Sequence, residues 1–285
     1  MFDFQNGQPP LTSTVDLIPF AWAWHHLRLV TEGLPFSLTL FAIFGAHRLG
    51  HYFARRLLGT SYALGGAVPA ATSYTEDFGN FGRRRSRPNS RAETIAIGAA
   101  GPVAGFVVAV AATCYGLTHS ASIDAHANVS LLRISAPALI GILRSTMLAS
   151  YPDIPPVLQM LPHPVLVAAW SGLLLTALTL IPAGRLDGGH ILYALSPRLH
   201  RIISACSIGA VLYLGTVEWI GWLFLALVLV QPSTKYFRSR DRTPLSVEWL
   251  VVVPLCLAIF LLTVSTQPIT GMSLTRVLLR IHRGF

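Results

Sequence analysis

The sequence predicts an all-α polytopic membrane protein with about six transmembrane helices. Hydrophobic residues make up 53% of its 285 residues and charged residues only 12%, whereas soluble domains carry about 25% charged residues. Long apolar runs alternate with short basic stretches, and the formal net charge is +9. Because the chain has too few charges for an ordinary soluble fold, we expect the lipid bilayer to be its solvent.

Five apolar runs are expected to form the helices. They occupy about residues 34–58, 92–117, 164–181, 202–230 and 247–264. The fourth run is interrupted by residues 215–218 (GTVE), which favours two short, tilted helices over a single long one. The runs therefore supply about six helices, since about 20 apolar residues cross the hydrocarbon core of a bilayer.

The other segments divide the chain into three parts. These are an N-terminal segment (1–33), a membrane-embedded domain (34–267) and a basic C-terminal tail (268–285). The apolar run around Trp22 and Trp24 is too short to cross the bilayer, so the first part is expected to lie at the membrane interface. Within the second part, we expect loops at 55–91 and 118–163, with a surface helix near 131–148.

The distribution of basic residues indicates an orientation in the membrane. The loops at 55–91, 185–201 and 232–245 hold 7, 3 and 4 Lys or Arg residues, against 2 in the 118–163 loop. By the positive-inside rule, the first three loops face the cytoplasm. The basic tail conflicts with this arrangement if the last helix crosses fully, so either the tail lies on the outer surface or the helix count differs by one. No nucleic-acid-binding motif accompanies the charge, and we expect no nucleic acid as a partner.

The first predicted helix carries two histidines, His47 and His51, at a spacing of four residues. This spacing places both imidazoles on one helical face, one turn apart, where they can share a metal ion. In the zinc motif H-E-x-x-H, the residue after the first histidine is a glutamate that acts as general base. Here that residue is Arg48, so the helix offers two metal ligands without the usual base.

A candidate third ligand is Asp187, within residues 186–190 (LDGGH). Ionisable residues inside a membrane domain are costly to bury and therefore indicate function. Glycines favour an unwound turn at this point, from which the carboxylate can reach a metal held by two histidines. Three protein ligands would leave a fourth zinc position open. In the second helix, Gly101 and Gly105 have the spacing of tight helix packing, which is the favoured explanation for them.

Together these motifs resemble the site-2 protease type of intramembrane zinc metalloproteases. Residues 47–51 (HRLGH) correspond to H-E-x-G-H, residues 100–105 (AGPVAG) to A-G-P-x-A-G, and residues 186–190 to L-D-G-G-H. The resemblance implies that His47, His51 and Asp187 are zinc ligands. It also implies a metalloprotease-type core of three helices, with an unwound LDGGH turn, and hydrolysis of a peptide bond in a transmembrane-helix substrate.

Three positions depart from the pattern of this family. Arg48 replaces the glutamate, Thr179 replaces the asparagine of N-x-x-P, and Arg185 stands where a neutral residue is common. Arginine keeps its proton at any accessible pH and cannot act as a general base. The family activity is therefore expected to be impaired or absent, as in a pseudoenzyme.

The residues leave several hypotheses open. The favoured one is a degenerate protease that still binds zinc or a transmembrane-helix client. A second is an active zinc protease with another base, for which the acids expected near the cytoplasmic face are Glu76, Asp77 and Glu93. A third is an ion or proton path through the two histidines and Asp187. Without metal, Arg48 and Asp187 would form a buried ion pair.

Overall fold

The structure is a computed structural model that describes residues 27–59, 90–122, 135–184, 186–230, 245, 247–269 and 273–275. In these residues the chain forms helices Leu27–Leu57 (α1), Arg91–Thr118 (α2), Ala138–Met147 (α3), Pro164–Leu180 (α4), Asp187–Leu195 (α5), Pro197–Val217 (α6), Gly221–Val230 (α7) and Val247–Thr263 (α8). A 3-10 helix, Val157–Gln159, and two short strands, Ala121–Ser122 (β1) and Met160–Leu161 (β2), lie between α2 and α4.

Most helix boundaries agree with the hydropathy of the sequence. Helices α2, α4 and α8 begin and end within one residue of the predicted bounds, and the run at 202–230 is divided into α6 and α7 as expected. The start of α1 was predicted at residue 34, seven residues late. Hydropathy indicates where a chain enters the membrane, whereas this helix begins earlier, in a polar turn, and continues through Pro35.

Local sequence signals explain how several helices begin. The Ser90 hydroxyl accepts a hydrogen bond from the Glu93 amide at 3.1 Å and so caps α2. Ser196 caps α6 in the same way through the Leu199 amide, and Pro197 occupies the first turn. These caps satisfy amides that lack a partner within the helix.

Helix α2 is the central element of the fold. It packs against α1, α4, α5 and α8, and many of its buried residues are small. At the site-forming end, a cluster with Ile95, Ala99 and Ile191 joins α2, α5 and α8. Small side chains on α2 allow these neighbours to approach closely, which positions the residues described below.

The LDGGH segment differs from the predicted unwound turn. The described irregular residues are 181–184 and 186, and Asp187 is already the first residue of α5. A Cβ atom at Gly188 would overlap the Leu180 carbonyl, and one at Gly189 would overlap the Gly184 carbonyl. The two glycines therefore permit close packing of a helix start, while the turn itself uses Gly184, with φ of +54°.

The region between α2 and α4 contains one small sheet that the all-α prediction did not include. Strands β1 and β2 pair antiparallel, with Ala121 opposite Leu161. Two-residue strands are too short to produce an alternating pattern in the sequence. The predicted surface helix corresponds to α3, and residues 123–134 of this loop lie outside the described residues.

The described start of the tail lies at the same end of the molecule as the 118–163 loop. The Ser135 amide donates a hydrogen bond to the Pro268 carbonyl at 3.1 Å, and the Trp222 indole N–H donates to the Thr266 carbonyl at 2.7 Å. The predicted interfacial segment before Leu27, the greater part of the 55–91 loop and most of the tail fall outside the described residues.

Two of the described helices are long and apolar enough to cross a membrane, namely α2 and α6. Residues 138–147, 164–180 and 251–263 form shorter apolar helices. Exposed apolar side chains such as Phe41, Phe224 and Leu261 are typical of a surface that contacts lipid. The count of six spans and the orientation of the loops stay predictions.

Candidate metal centre

Helices α1 and α2 run antiparallel at the candidate site, with the histidines of α1 against glycines of α2. A Cβ atom placed on Gly101 would overlap the His51 ring, and one placed on Gly105 would lie 3.2 Å from the His47 Cβ. In the opposite direction, a Cβ atom on Gly50 of α1 would overlap the Ala100 carbonyl. The two backbones are therefore close because both helices carry glycine at the contact.

The third predicted ligand, Asp187, is brought to the histidines by packing between α5 and α2. A Cβ atom on Gly98 would lie 3.0 Å from Ile191 Cγ1 and 3.3 Å from the Asp187 carbonyl oxygen. Arg91, at the start of α2, donates hydrogen bonds of 2.6 Å to the carbonyls of Ala194 and Leu195 at the end of α5. Helix α2 thus contacts both helices that carry the candidate ligands and fixes them relative to one another.

The donor atoms of the three residues converge. The Nε2 atoms of His47 and His51 are 3.1 Å apart. One oxygen of the Asp187 carboxylate, Oδ2, lies 3.4 Å from His47 Nε2. The other, Oδ1, lies 3.5 Å from His51 Nε2. The side chains are only 12% exposed for each histidine and 17% exposed for Asp187. The result is a compact, nearly enclosed group of two imidazoles and one carboxylate.

The hydrogen bonding of His51 favours a role for this residue as a metal ligand. Its Nδ1 atom lies 2.7 Å from the Ile97 carbonyl oxygen, and a carbonyl only accepts, so Nδ1 must carry the proton. In a neutral imidazole the lone pair is then on Nε2, the atom directed at His47 and Asp187. A carbonyl partner on the outer nitrogen is the usual arrangement that orients a metal-binding histidine.

This donor set fits zinc. Bonds of about 2.0–2.1 Å in a tetrahedral site separate neighbouring donor atoms by roughly 3.4 Å. The two Nε2 atoms are 3.1 Å apart, each lies 3.4 or 3.5 Å from a different Asp187 oxygen, and one ligand atom from each residue lies within 4.8 Å of the others. Two imidazoles and a carboxylate are ordinary ligands of catalytic zinc and leave one position open. His47, His51 and Asp187 are thus the residues that would hold the metal.

The other predicted site residues have different surroundings. Arg48 lies next to His47 on α1 and is half-buried. Thr179 is buried in α4, where its hydroxyl donates to the Thr176 carbonyl at 3.1 Å and so hydrogen-bonds within its own helix. Arg185 lies outside the described residues. The predicted ion pair between Arg48 and Asp187 stays a prediction.

Of the acids proposed as a substitute base, Glu93 is described, and Glu76 and Asp77 lie outside the described residues. Glu93 is in the first turn of α2. His190 Nδ1 donates a hydrogen bond to the Leu186 carbonyl at 3.0 Å, near the turn. Sequence reasoning did not find the Ile97 carbonyl, since no side-chain type marks a backbone acceptor.

Comparison with known families identifies one match. Residues 35–219 match the family described as Peptidase family M50. This range includes both histidines, the glycines of α2 and Asp187, so the match covers the whole metal centre.

Named relatives show the same similarity. "Probable zinc metalloprotease EGY2, chloroplastic" of Arabidopsis thaliana is 29% identical over 192 residues, which are 67% of this chain and 33% of that protein. The protein of the same name from Oryza sativa subsp. japonica is 30% identical over 185 residues, 65% of this chain and 33% of the relative. "Probable zinc metalloprotease EGY1, chloroplastic" of Arabidopsis thaliana is 28% identical over 164 residues, 56% and 29% of the two chains.

The match therefore spans about a third of the length of these relatives. No solved structure matches the chain at a significant level.

Proposed function

The chain belongs to Peptidase family M50, the site-2 protease family, and we propose that it is a membrane-embedded member that binds zinc but hydrolyses peptide bonds poorly or not at all. One observation carries the proposal: His47, His51 and Asp187 converge as a ligand set, while the residue after His47 is Arg48. The ligands of the family are thus present, and its general base is replaced.

The roles of the residues follow from their chemistry. His47 and His51 would bind zinc through Nε2, and Asp187 through its carboxylate. Bound zinc polarises a peptide carbonyl and makes a water molecule more acidic. Hydrolysis also needs a group that accepts the proton of the attacking water, and Arg48 cannot do so because a guanidinium keeps its proton in proteins.

Arg48 also acts on metal affinity. At an effective dielectric of about 20, two like unit charges about 5 Å apart repel by roughly 3 kcal/mol, and a dication doubles this figure. A guanidinium at that distance would weaken zinc binding by more than a hundredfold, unless its side chain is directed away from the metal. We therefore also propose that the wild-type protein binds zinc more weakly than the Arg48→Glu variant does.

The proposed partner is a transmembrane helix, bound as a client. The support is family membership together with a site that packs against α2, a helix long and apolar enough to cross a membrane. Since the relatives are about three times longer than the matched region, their complete activities are not transferred to this chain.

The Arg48→Glu variant is the sharpest test. The 285-residue chain, purified in detergent, is assayed for zinc content and for cleavage of a helical reporter peptide. We expect wild type to bind zinc weakly without cleavage, and Arg48→Glu to bind at least a hundredfold more tightly and to gain measurable cleavage. Arg56→Glu, an equal charge change on the exposed side of the same helix, should change neither quantity. Adding Thr179→Asn to Arg48→Glu tests the second departure by the same two assays.

Two results would contradict the proposal. Cleavage by wild type that is abolished by His47→Ala would show an active protease with another base, and Glu93→Gln would then test the described candidate. Absence of zinc from both wild type and Arg48→Glu would refute metal binding and favour the metal-free ion pair of Arg48 with Asp187.

A further inference from the structure

The glycines of α2 repeat the spacing of the histidines on α1. Gly101 faces His51 and Gly105 faces His47, each pair being four residues apart on its own helix. Gly101 leaves no room for a side chain: a Cβ atom there would overlap Nε2 of His51 and would lie 2.5 Å from its Cδ2 and 2.6 Å from its Cε1. The His51 ring therefore occupies the space that a side chain at position 101 would fill.

Helix α2 also fixes that ring by a hydrogen bond. Ile97, whose carbonyl accepts the proton of His51 Nδ1 at 2.7 Å, is four residues before Gly101, one helical turn away on the same face. The ring is thus held from one side by the Ile97 carbonyl, and it lies against the bare backbone at Gly101. The Nε2 atom, which is the ring atom nearest to position 101, is also 3.5 Å from the Asp187 carboxylate.

These two constraints are coupled. A methyl group at position 101 would push the ring away from α2, and the ring cannot move in that direction without lengthening its bond to Ile97 on the same helix. The displacement would also change the direction of the Nε2 lone pair. At Gly105 the corresponding contact, 3.2 Å to the His47 Cβ and 3.5 Å to Nδ1, is looser, so His47 would be displaced less.

We infer that Gly101 is a positioning residue for the His51 imidazole, and that Gly105 has the same role, more weakly, for His47. The residues 100–105 are then one wall of the candidate metal centre, in addition to being a helix-packing motif. The consequence for metal binding rests on the proposed function. The consequence for the ring itself does not, because the contacts involve protein atoms alone.

The test compares four alanine variants of the 285-residue chain. Gly101→Ala and Gly105→Ala alter the site wall. Gly116→Ala, on the same helix, places its Cβ 2.6 Å from that of Leu166 on α4 and tests crowding alone. Gly45→Ala, on α1, meets nothing within 4 Å and tests the substitution itself.

Two readouts are measured. The first is the rate at which diethyl pyrocarbonate modifies His51 in metal-free protein, followed by peptide mass spectrometry with an added histidine-containing peptide as reference. The second is zinc affinity, by competition with a chromophoric chelator, together with the visible spectrum of bound Co²⁺. We expect Gly101→Ala to raise the His51 modification rate several-fold and to lower zinc affinity by about 10- to 100-fold, as for other residues that orient metal ligands. Gly105→Ala should give a smaller loss of affinity.

The controls define the outcome that overturns the inference. Gly116→Ala should lower the melting temperature without changing the His51 rate relative to the reference peptide, and Gly45→Ala should change neither. An unchanged His51 rate in Gly101→Ala, or an equal increase in Gly116→Ala, overturns the positioning role. If Gly101→Ala does not fold, Gly105→Ala decides by the relative modification rate of His47, and an unchanged rate there overturns the inference.

The two proposals fail separately. If wild type binds no zinc while Gly101→Ala still exposes His51, metal binding is refuted and the positioning role stands. If wild type binds zinc and Gly101→Ala binds it equally well with an unchanged His51 rate, the positioning role is refuted and metal binding stands.

Discussion

Two pairs of histidines lie near opposite ends of α2. His47 and His51 face its first half, whereas His119 directly follows the helix and is beside His163, the residue before α4. From Gly101 to His119 the distance along the axis is about 27 Å, at 1.5 Å per residue. The rings of the first pair have centroids 4.8 Å apart and those of the second 6.0 Å apart, so proximity alone hardly distinguishes the pairs.

The two pairs differ in what their ring nitrogens contact. In the first, both Nε2 atoms face each other and the Asp187 carboxylate. In the second, His119 Nδ1 donates to the Tyr115 carbonyl at 2.8 Å, and His163 Nδ1 accepts the Val165 amide proton at 3.2 Å. The His119 ring also stacks on Tyr115, with centroids 4.0 Å apart. Donor atoms that converge on a carboxylate therefore form the candidate metal centre, whereas ring nitrogens that bond the ends of helices form a structural cluster.

The largest expected difference concerns removal of one histidine from each pair. His51→Ala should lower zinc affinity by more than the roughly 10- to 100-fold typical of residues that only orient ligands, because a ligand itself is lost. His119→Ala should leave the affinity unchanged. Both are measured by chelator competition on purified protein, and equal losses in the two variants would remove the distinction between the pairs.

Two arginines donate hydrogen bonds to backbone carbonyls, one near the candidate metal centre and the other near the distal histidine pair. Arg91 contacts Ala194 and Leu195 at the end of α5, and Arg144 contacts Pro155 and Ile154, at 2.7 and 3.0 Å, in the 118–163 loop. Hydrogen bonds to charged groups contribute about 1.5–3 kcal/mol each. Either alanine substitution should therefore lower the melting temperature by several degrees.

The two arginine variants should differ in zinc affinity. Arg91→Ala loosens α5, which carries Asp187, and we expect a loss of about tenfold by analogy with outer partners of metal ligands. Arg144→Ala should not change it. A metal affinity that is insensitive to Arg91→Ala would mean that packing at Gly98 alone positions α5.

The features that were predictable from sequence depend on local composition. Hydropathy predicted the bounds of α2, α4 and α8 to within one residue. The spacing of His47 and His51, together with the distant carboxylate of Asp187, predicted three side chains that the structure brings together. The metal ligands could be proposed because their residue types are chemically distinctive.

The features that were missed depend on which helix faces which. The spacing of Gly101 and Gly105 predicted close packing but not its partner, since a glycine pattern is the same whether it meets an aliphatic or an imidazole side chain. Gly188 and Gly189 suggested an unwound turn, yet they lie in the first turn of α5. Glycine is needed there because the carbonyls of residues 180 and 184 pass too close to their backbones for a side chain. A backbone acceptor such as the Ile97 carbonyl has no sequence signal.

The smallest expected effect concerns pH and tests the structural character of the distal pair. Partial burial and the nearby His119 lower the pKa of His163 below its ordinary value of 6.5. The neutral ring is also the form that accepts the Val165 amide proton and caps α4. Because the folded state binds this proton less readily than the unfolded state, stability is complete above about pH 6.5 and falls as the pH drops toward the lowered pKa.

His163→Asn separates the cap from the titration, since asparagine is a good helix cap that does not ionise. We expect the wild-type melting temperature to fall between pH 7.5 and 5.5, and the fall to be smaller in His163→Asn. A parallel decrease in both proteins would assign the pH dependence to other groups. A different outcome is that the variant has a lower melting temperature at pH 7.5 and the same decrease with pH as wild type. The His163 ring would then stabilise the fold through its contacts with Tyr115 and His119. Its ring nitrogen would not be the feature that distinguishes the distal pair from the candidate metal centre.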